Sequence, residues 1–195
     1  YMGVDVAHTA TSTSDYQVIL VLGIDSNKNR YILEYFRERI PTFDMPAKII
    51  EMAKKYQPLR RVTIETVAAQ EMVRDMTDRL SVKERRLTPG LFKGAKPPKG
   101  IKKEDRLETS LGPIINSRKL YIKREMSEIL DEMFEHPKAK NDDLLDALYY
   151  ANYYAWQKPP VSDAVSIDSF HKIGRLAGRK KLKMGYNWIT GARNI

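Results

Sequence analysis

From Met2 to Ala7 (MGVDVA) Val4 and Val6 fall on one face and Asp5 on the other, the alternation of a strand with a single charge inserted. Two further apolar runs, Tyr16 to Gly23 (YQVILVLG) and Tyr31 to Phe36 (YILEYF), are separated by Asp25, Ser26, Asn27, Lys28 and Asn29, which supply turn chemistry. The three runs predict an antiparallel meander. Asp44 followed by Pro46 predicts a helix start, which Ala47, Ile50, Met52, Ala53 and Tyr56 continue at helical spacing. The β-branched segment VTIET at 62–66 predicts a short strand with Glu65 near its C-terminal end, and a helix is expected from Ala68 to about Leu80.

The segment from Lys83 to Arg106 differs in character: Pro89, Gly90, Gly94, Pro97, Pro98 and Gly100 interrupt a run of basic residues, which predicts a basic loop or hairpin. Leu107, Leu111, Ile114 and Ile115 resume helical spacing, with a bend expected at Gly112-Pro113, and Lys119 to Lys123 (KLYIK) predicts a fifth strand. Met126 to Phe134 predicts a helix, HPKAK at 136–140 a linker, and Asn141-Asp142-Asp143 the opening of a last helix that runs through Leu144, Leu145, Leu148 and Tyr149 to Trp156. This order favours mixed α/β, an antiparallel meander joined to parallel strands, over a doubly wound parallel sheet. The expected organisation is one domain over residues 1–158 and a basic tail over 159–195.

Composition narrows the chemistry. At 195 residues with 42% hydrophobic content the chain is long enough for one substantial core. Lys and Arg outnumber Asp and Glu by 34 to 25, a formal net charge of +9, which favours a polyanionic partner. No stretch approaches the roughly 20 apolar residues of a membrane helix, and the start has no leader-like pattern, so nucleic acid is expected rather than a membrane. Absence of cysteine excludes disulfides, thiolate zinc sites and cysteine nucleophiles. His8, His136 and His171 are too scattered to suggest a histidine-rich site, which leaves carboxylates as the expected ligands of any metal. A bare Tyr1 running straight into a strand suggests a piece of something longer.

Three elements carry carboxylates that need an explanation. Asp5 interrupts an apolar strand, Glu65 ends another, and Asp143 and Asp146 lie one turn apart on one helix face. An unpaired carboxylate beside a core costs several kcal/mol, so clustered acids survive there by sharing protons or cations. Oxygen-only ligands suit Mg²⁺ or Mn²⁺, and two such ions can activate water on one side of a phosphodiester and stabilise the leaving oxygen on the other. Each acid also has a plainer explanation: Asp5 on an edge strand, Glu65 paired with Arg60 or Arg61, Asp142 and Asp143 capping a helix.

The motifs GVDVA, Asp15-Tyr16 before an apolar strand, VTIET, KKEDRLETSLGPIINSRKLYI and NDDLLDALYYA together resemble the nuclease domain of the large terminase subunit of tailed double-stranded DNA phages, a branch of the RNase H-like nucleases. The resemblance spans about Met2 to Trp156. It implies a five-stranded mixed sheet flanked by helices, and two-metal endonuclease cleavage of double-stranded DNA with little sequence specificity during viral genome packaging in the host cytoplasm. It also implies a portal and a small terminase subunit as partners of the full-length protein. Carried over, Asp5, Glu65 and Asp143 are the catalytic metal ligands and Asp146 an additional one; Asp15 is an auxiliary acid and Asp142 an auxiliary acid or the helix cap. No G-x-x-x-x-G-K-[ST] occurs, so the packaging ATPase is not in this sequence.

Lys83, Arg85, Arg86, Lys93, Lys96, Lys99, Lys102 and Lys103 are expected to track DNA phosphates. In the tail, Lys172, Arg175, Arg179, Lys180, Lys181 and Lys183 are expected to grip DNA or dock on a partner. Two alternatives remain at this level: a Holliday-junction resolvase or transposase-like nuclease, and a non-catalytic DNA-binding module on the same fold.

Overall fold

The first three apolar runs form β1 (Met2–Asp5), β2 (Gln17–Ile24) and β3 (Arg30–Glu38) in a computed structural model of the protein. The structure describes residues 1–7, 16–66, 69–84, 87–88, 90–139 and 141–155, with 69–70, 186–187 and 192–193 by backbone alone. β1 pairs antiparallel with β2, and β2 with β3, as the meander requires. At the β2–β3 turn the Asp25 carboxylate accepts from the Asn27 and Asn29 amides at 2.9 and 2.8 Å and from the Tyr31 hydroxyl at 2.9 Å. Lys28 takes the left-handed conformation there, at φ 61°.

β4 (Val62–Glu65) lies parallel to β1, and β5 (Phe92–Ala95) parallel to β4. β6 (Leu120–Tyr121) runs parallel to β3. The sheet therefore has six strands, in the order β5-β4-β1-β2-β3-β6, where the sequence predicts five. The additional strand lies inside the segment expected to be a basic loop or hairpin. Leu91, Phe92 and Ala95 are buried while Lys93 is exposed, and a run of four residues among lysines and prolines is too short to show its period. A separate two-stranded ladder joins β7 (Tyr186–Asn187) to β8 (Ala192–Arg193).

Five helices accompany the sheet among the described residues: α1 (Met45–Lys55), α2 (Ala69–Ser81), α3 (Lys103–Asn116), α4 (Ser127–Glu135) and α5 (Asp143–Tyr153). α3 starts one turn earlier than its apolar spacing predicts, and it continues through Gly112 and Pro113. Strand alternation divides the core in two. Met2, Val4, Ile19, Val21, Val62 and Ile64 pack with Ile49, Met52 and Ala53 of α1. Val18, Leu20 and Leu22 pack with Leu107 and Leu111 of α3, Ile129 of α4 and Leu144 and Leu148 of α5. Gly3 and Asp5, alternate to Met2 and Val4, thus belong to the α5 side of the sheet. None of the helices is long and apolar enough to cross a membrane among the described residues.

Candidate active site

Parallel pairing of β1 with β4 sets Val4 opposite Ile64, so the next residues, Asp5 and Glu65, end side by side at the C-terminal edge of the two strands. β1 is a central strand, so the edge-strand explanation of Asp5 does not hold. Burial drives the Asp5 carboxyl well above the usual carboxylate range, and the charges of Asp146 and Glu65, a hydrogen bond with Glu65 and the charge of Asp143 push it further. Asp5 and Glu65 are therefore crowded acids joined by a hydrogen bond. The carboxylates of β1, β4 and α5 act on one another, although they are 138 positions apart between Asp5 and Asp143.

Cations of the chain hold the α5 carboxylates. Lys103, in the first turn of α3, places Nζ 2.6 Å from Asp142 Oδ1 and also bonds Asp146. Arg106, one turn on, places Nη2 2.7 Å from Asp146 Oδ1, and both side chains are buried. Burial opposes the charge of Lys103, but Asp146 and Asp142 outweigh it and raise its pKa. Arg37 of β3 reaches Asp143 Oδ2 at 3.7 Å and Glu132 Oε1 of α4 at 3.4 Å. The buried Tyr150 hydroxyl donates to Glu65, and burial followed by the charge of Glu65 raises its pKa far above the ordinary phenol value. Arg106 also donates to that hydroxyl at 3.5 Å.

Asp5 thus lies within electrostatic reach of Glu65, Asp143 and Asp146, while Asp142 behaves differently from its expected role as the cap of α5. It occupies the N-cap position without a side-chain cap hydrogen bond, because its carboxylate is turned to Lys103. The acceptor for the α5 amides is Glu132, whose Oε2 lies 3.0 and 3.2 Å from the Leu144 and Leu145 nitrogens. Lys103 pairs with acids of the cluster itself. Lys96 pairs with Glu71 at 3.0 Å, and Lys83, Lys93, Lys99 and Lys102 are exposed. Asp15, Arg85 and Arg86 lie outside the described residues, as do Lys172, Arg175, Arg179, Lys180, Lys181 and Lys183 of the tail.

Sequence reasoning passed over Arg37, Arg106, Glu132 and Tyr150. A signal existed for Glu132, which shares the helical face of Ile129 and Met133, where a lone carboxylate requires a partner. Arg37 and Arg106 have nothing local to mark them, since their partners lie on other elements.

Among the described residues no three His, Asp or Glu side chains converge closely enough to hold one ion as they stand. The donor chemistry nevertheless fits a hard divalent cation. Asp5 and Glu65 offer crowded carboxylate oxygens whose repulsion a cation would relieve, and Asp143 and Asp146 carry further oxygens within electrostatic reach of Asp5.

The fold is similar to that of the fowlpox virus resolvase solved with its substrate Holliday junction DNA, at 13% identity over 78% of this chain and 96% of that chain, with a TM-score of 0.50. The yeast mitochondrial Holliday junction resolvase Ydc2 is also similar, at 14% identity over 77% of this chain and 76% of that chain, with a TM-score of 0.48. No curated protein matches the sequence significantly. The model of the terminase RNaseH-like domain matches residues 2–154, and the chain belongs to that family of RNase H-like nuclease folds.

Proposed function

We propose that this domain is a divalent-metal-dependent endonuclease that hydrolyses phosphodiesters of double-stranded DNA, with little sequence preference, in viral genome packaging. The observation that carries this reading is that Asp5, at one of two parallel strand ends, lies within electrostatic reach of Glu65 at the other and of Asp143 and Asp146 on one helix. These four side chains would hold Mg²⁺ or Mn²⁺, which supplies Lewis acidity and a water nucleophile at neutral pH. Tyr150 orients Glu65 by donating its hydroxyl proton, and Arg106 fixes Asp146. The exposed Lys93, Lys99 and Lys102 suit phosphate contacts, which add affinity without reading sequence. Portal and small-subunit contacts would belong to the full-length protein.

The test is plasmid incubated with the chain in Mg²⁺ or Mn²⁺, with and without EDTA, beside a four-way junction of the same length as a linear duplex. Nicking and linearisation that EDTA abolishes, with duplex cut at least as well as junction, is the expected result. Cutting confined to the junction would replace packaging by a resolvase function. Binding without cutting in either metal would leave a DNA-binding module.

A further inference from the structure

Glu132 is a buried carboxylate outside the acid cluster, carried by α4, and it is bound to the first turn of α5. Its Oε2 accepts from the Leu144 and Leu145 amides at 3.0 and 3.2 Å, two of the donors that a helix N-terminus leaves without an intrahelical partner. Those amides directly follow Asp143, and Leu145 directly precedes Asp146. The residue in the N-cap position cannot serve, because Asp142 is turned to Lys103 at 2.6 Å. The other oxygen of Glu132 faces Arg37 Nη2 at 3.4 Å, and the same nitrogen stands 3.7 Å from Asp143 Oδ2. One carboxylate therefore fixes the start of α5 through its backbone and, through Arg37, one of its two cluster acids.

We propose that Glu132 is a positioning residue of the active site, capping α5 from a neighbouring helix so that Asp143 and Asp146 are presented to Asp5 and Glu65. The proposal rests on the nuclease reading for its consequence in catalysis, but its structural half can be read without any cleavage. A cap on an adjacent helix makes the separation of α4 and α5 part of the site's geometry. It also explains why a carboxyl-bearing residue 11 positions before Asp143 lies buried beside the core.

Two variants divide the roles. In Glu132→Ala both amides lose their acceptor. In Glu132→Gln the amide oxygen still accepts from Leu144 and Leu145, while the tie to Arg37 is lost. Hydrogen exchange followed by NMR should show faster exchange at Leu144 and Leu145 in Glu132→Ala, with wild-type protection restored in Glu132→Gln. Well below the melting temperature of both variants, Glu132→Ala should lower kcat by about 10- to 100-fold, the cost of small misplacement of catalytic groups, with KM for duplex DNA unchanged. Glu132→Gln should return kcat to within about threefold of wild type, since a helix cap needs an acceptor and no charge. Unchanged exchange at both amides in Glu132→Ala would overturn the cap whatever the activity. Faster exchange with wild-type kcat would overturn positioning, and equal loss of kcat in both variants would assign the effect to Arg37 in place of the cap. A wild-type protein that fails to cut would overturn the nuclease reading, while amide exchange would still decide the cap.

Discussion

Gly3 of β1 lies so close to α5 that a Cβ built on it would stand 1.9 Å from the carbonyl oxygen of Ala147 and 2.3 Å from the Ala151 nitrogen. Backbone meets backbone there, with no flexible side chain to give way. This approach lowers α5 onto the strand that carries Asp5, and it is what brings Asp146 within electrostatic reach of that carboxyl. Gly3→Ala must push α5 outward. It is expected to destabilise the fold by about 1–3 kcal/mol, the usual cost of overpacking, and to reduce cleavage beyond what the lost folded fraction explains. Thermal melts together with cleavage rates per folded molecule check this, and a variant with the wild-type melting temperature contradicts the close packing.

Lys103 was expected from the sequence to be a DNA-binding residue, yet it stands on Asp142 and Asp146 inside the acid cluster. A resident ammonium and an incoming divalent cation compete for the same oxygens. Lys103→Ala should therefore tighten Mn²⁺ binding by up to about tenfold, equivalent to about 1.4 kcal/mol, as measured by calorimetry without DNA. Unchanged Mn²⁺ affinity together with weakened duplex binding would return Lys103 to the role of a phosphate contact.

The pH dependence of stability isolates Glu132. Burial, opposed by Arg37 and by the Leu145 and Leu144 amides, pushes its carboxyl up to about 8 from 4.5. A carboxyl whose folded pKa is raised makes the folded state hold more protons, so its contribution falls as pH rises from about 4.5 to about 8. The buried N-terminus, lowered to about 5 by burial and then by Arg60, and His136, lowered chiefly by burial, act in the opposite sense within the same window. The difference between Glu132→Gln and wild type removes these common effects. The melting temperature of the variant relative to wild type is expected to climb between pH 5 and pH 8, and a difference that stays flat or declines contradicts a raised Glu132.

Much of this molecule was legible before folding was considered. The meander is written in the apolar runs and in the Asp25–Asn29 turn, and Asp5 and Glu65 stand out because they end strands whose other residues are buried. What was hidden depends on partners far away in sequence. β5 has too few residues to show alternation, and its place is set by Phe92 and Ala95 packing beside β4. Because capping is ordinarily local, the sequence offers Asp142 as the cap of α5 or as an auxiliary acid. Tertiary structure gives Asp142 to Lys103 and brings Glu132 across from α4.

The central claim is that carboxylates gathered from β1, β4 and α5 carry out the hydrolysis, and plasmid cleavage by Asp5→Ala and Asp143→Ala tests it most directly. Removing an acid from a crowded cluster relieves repulsion, so both variants should fold, as circular dichroism will show. Each is expected to lose cleavage in saturating Mg²⁺ and Mn²⁺ while binding duplex DNA as the wild type does. A folded Asp5→Ala or Asp143→Ala protein that cuts plasmid at the wild-type rate would contradict it.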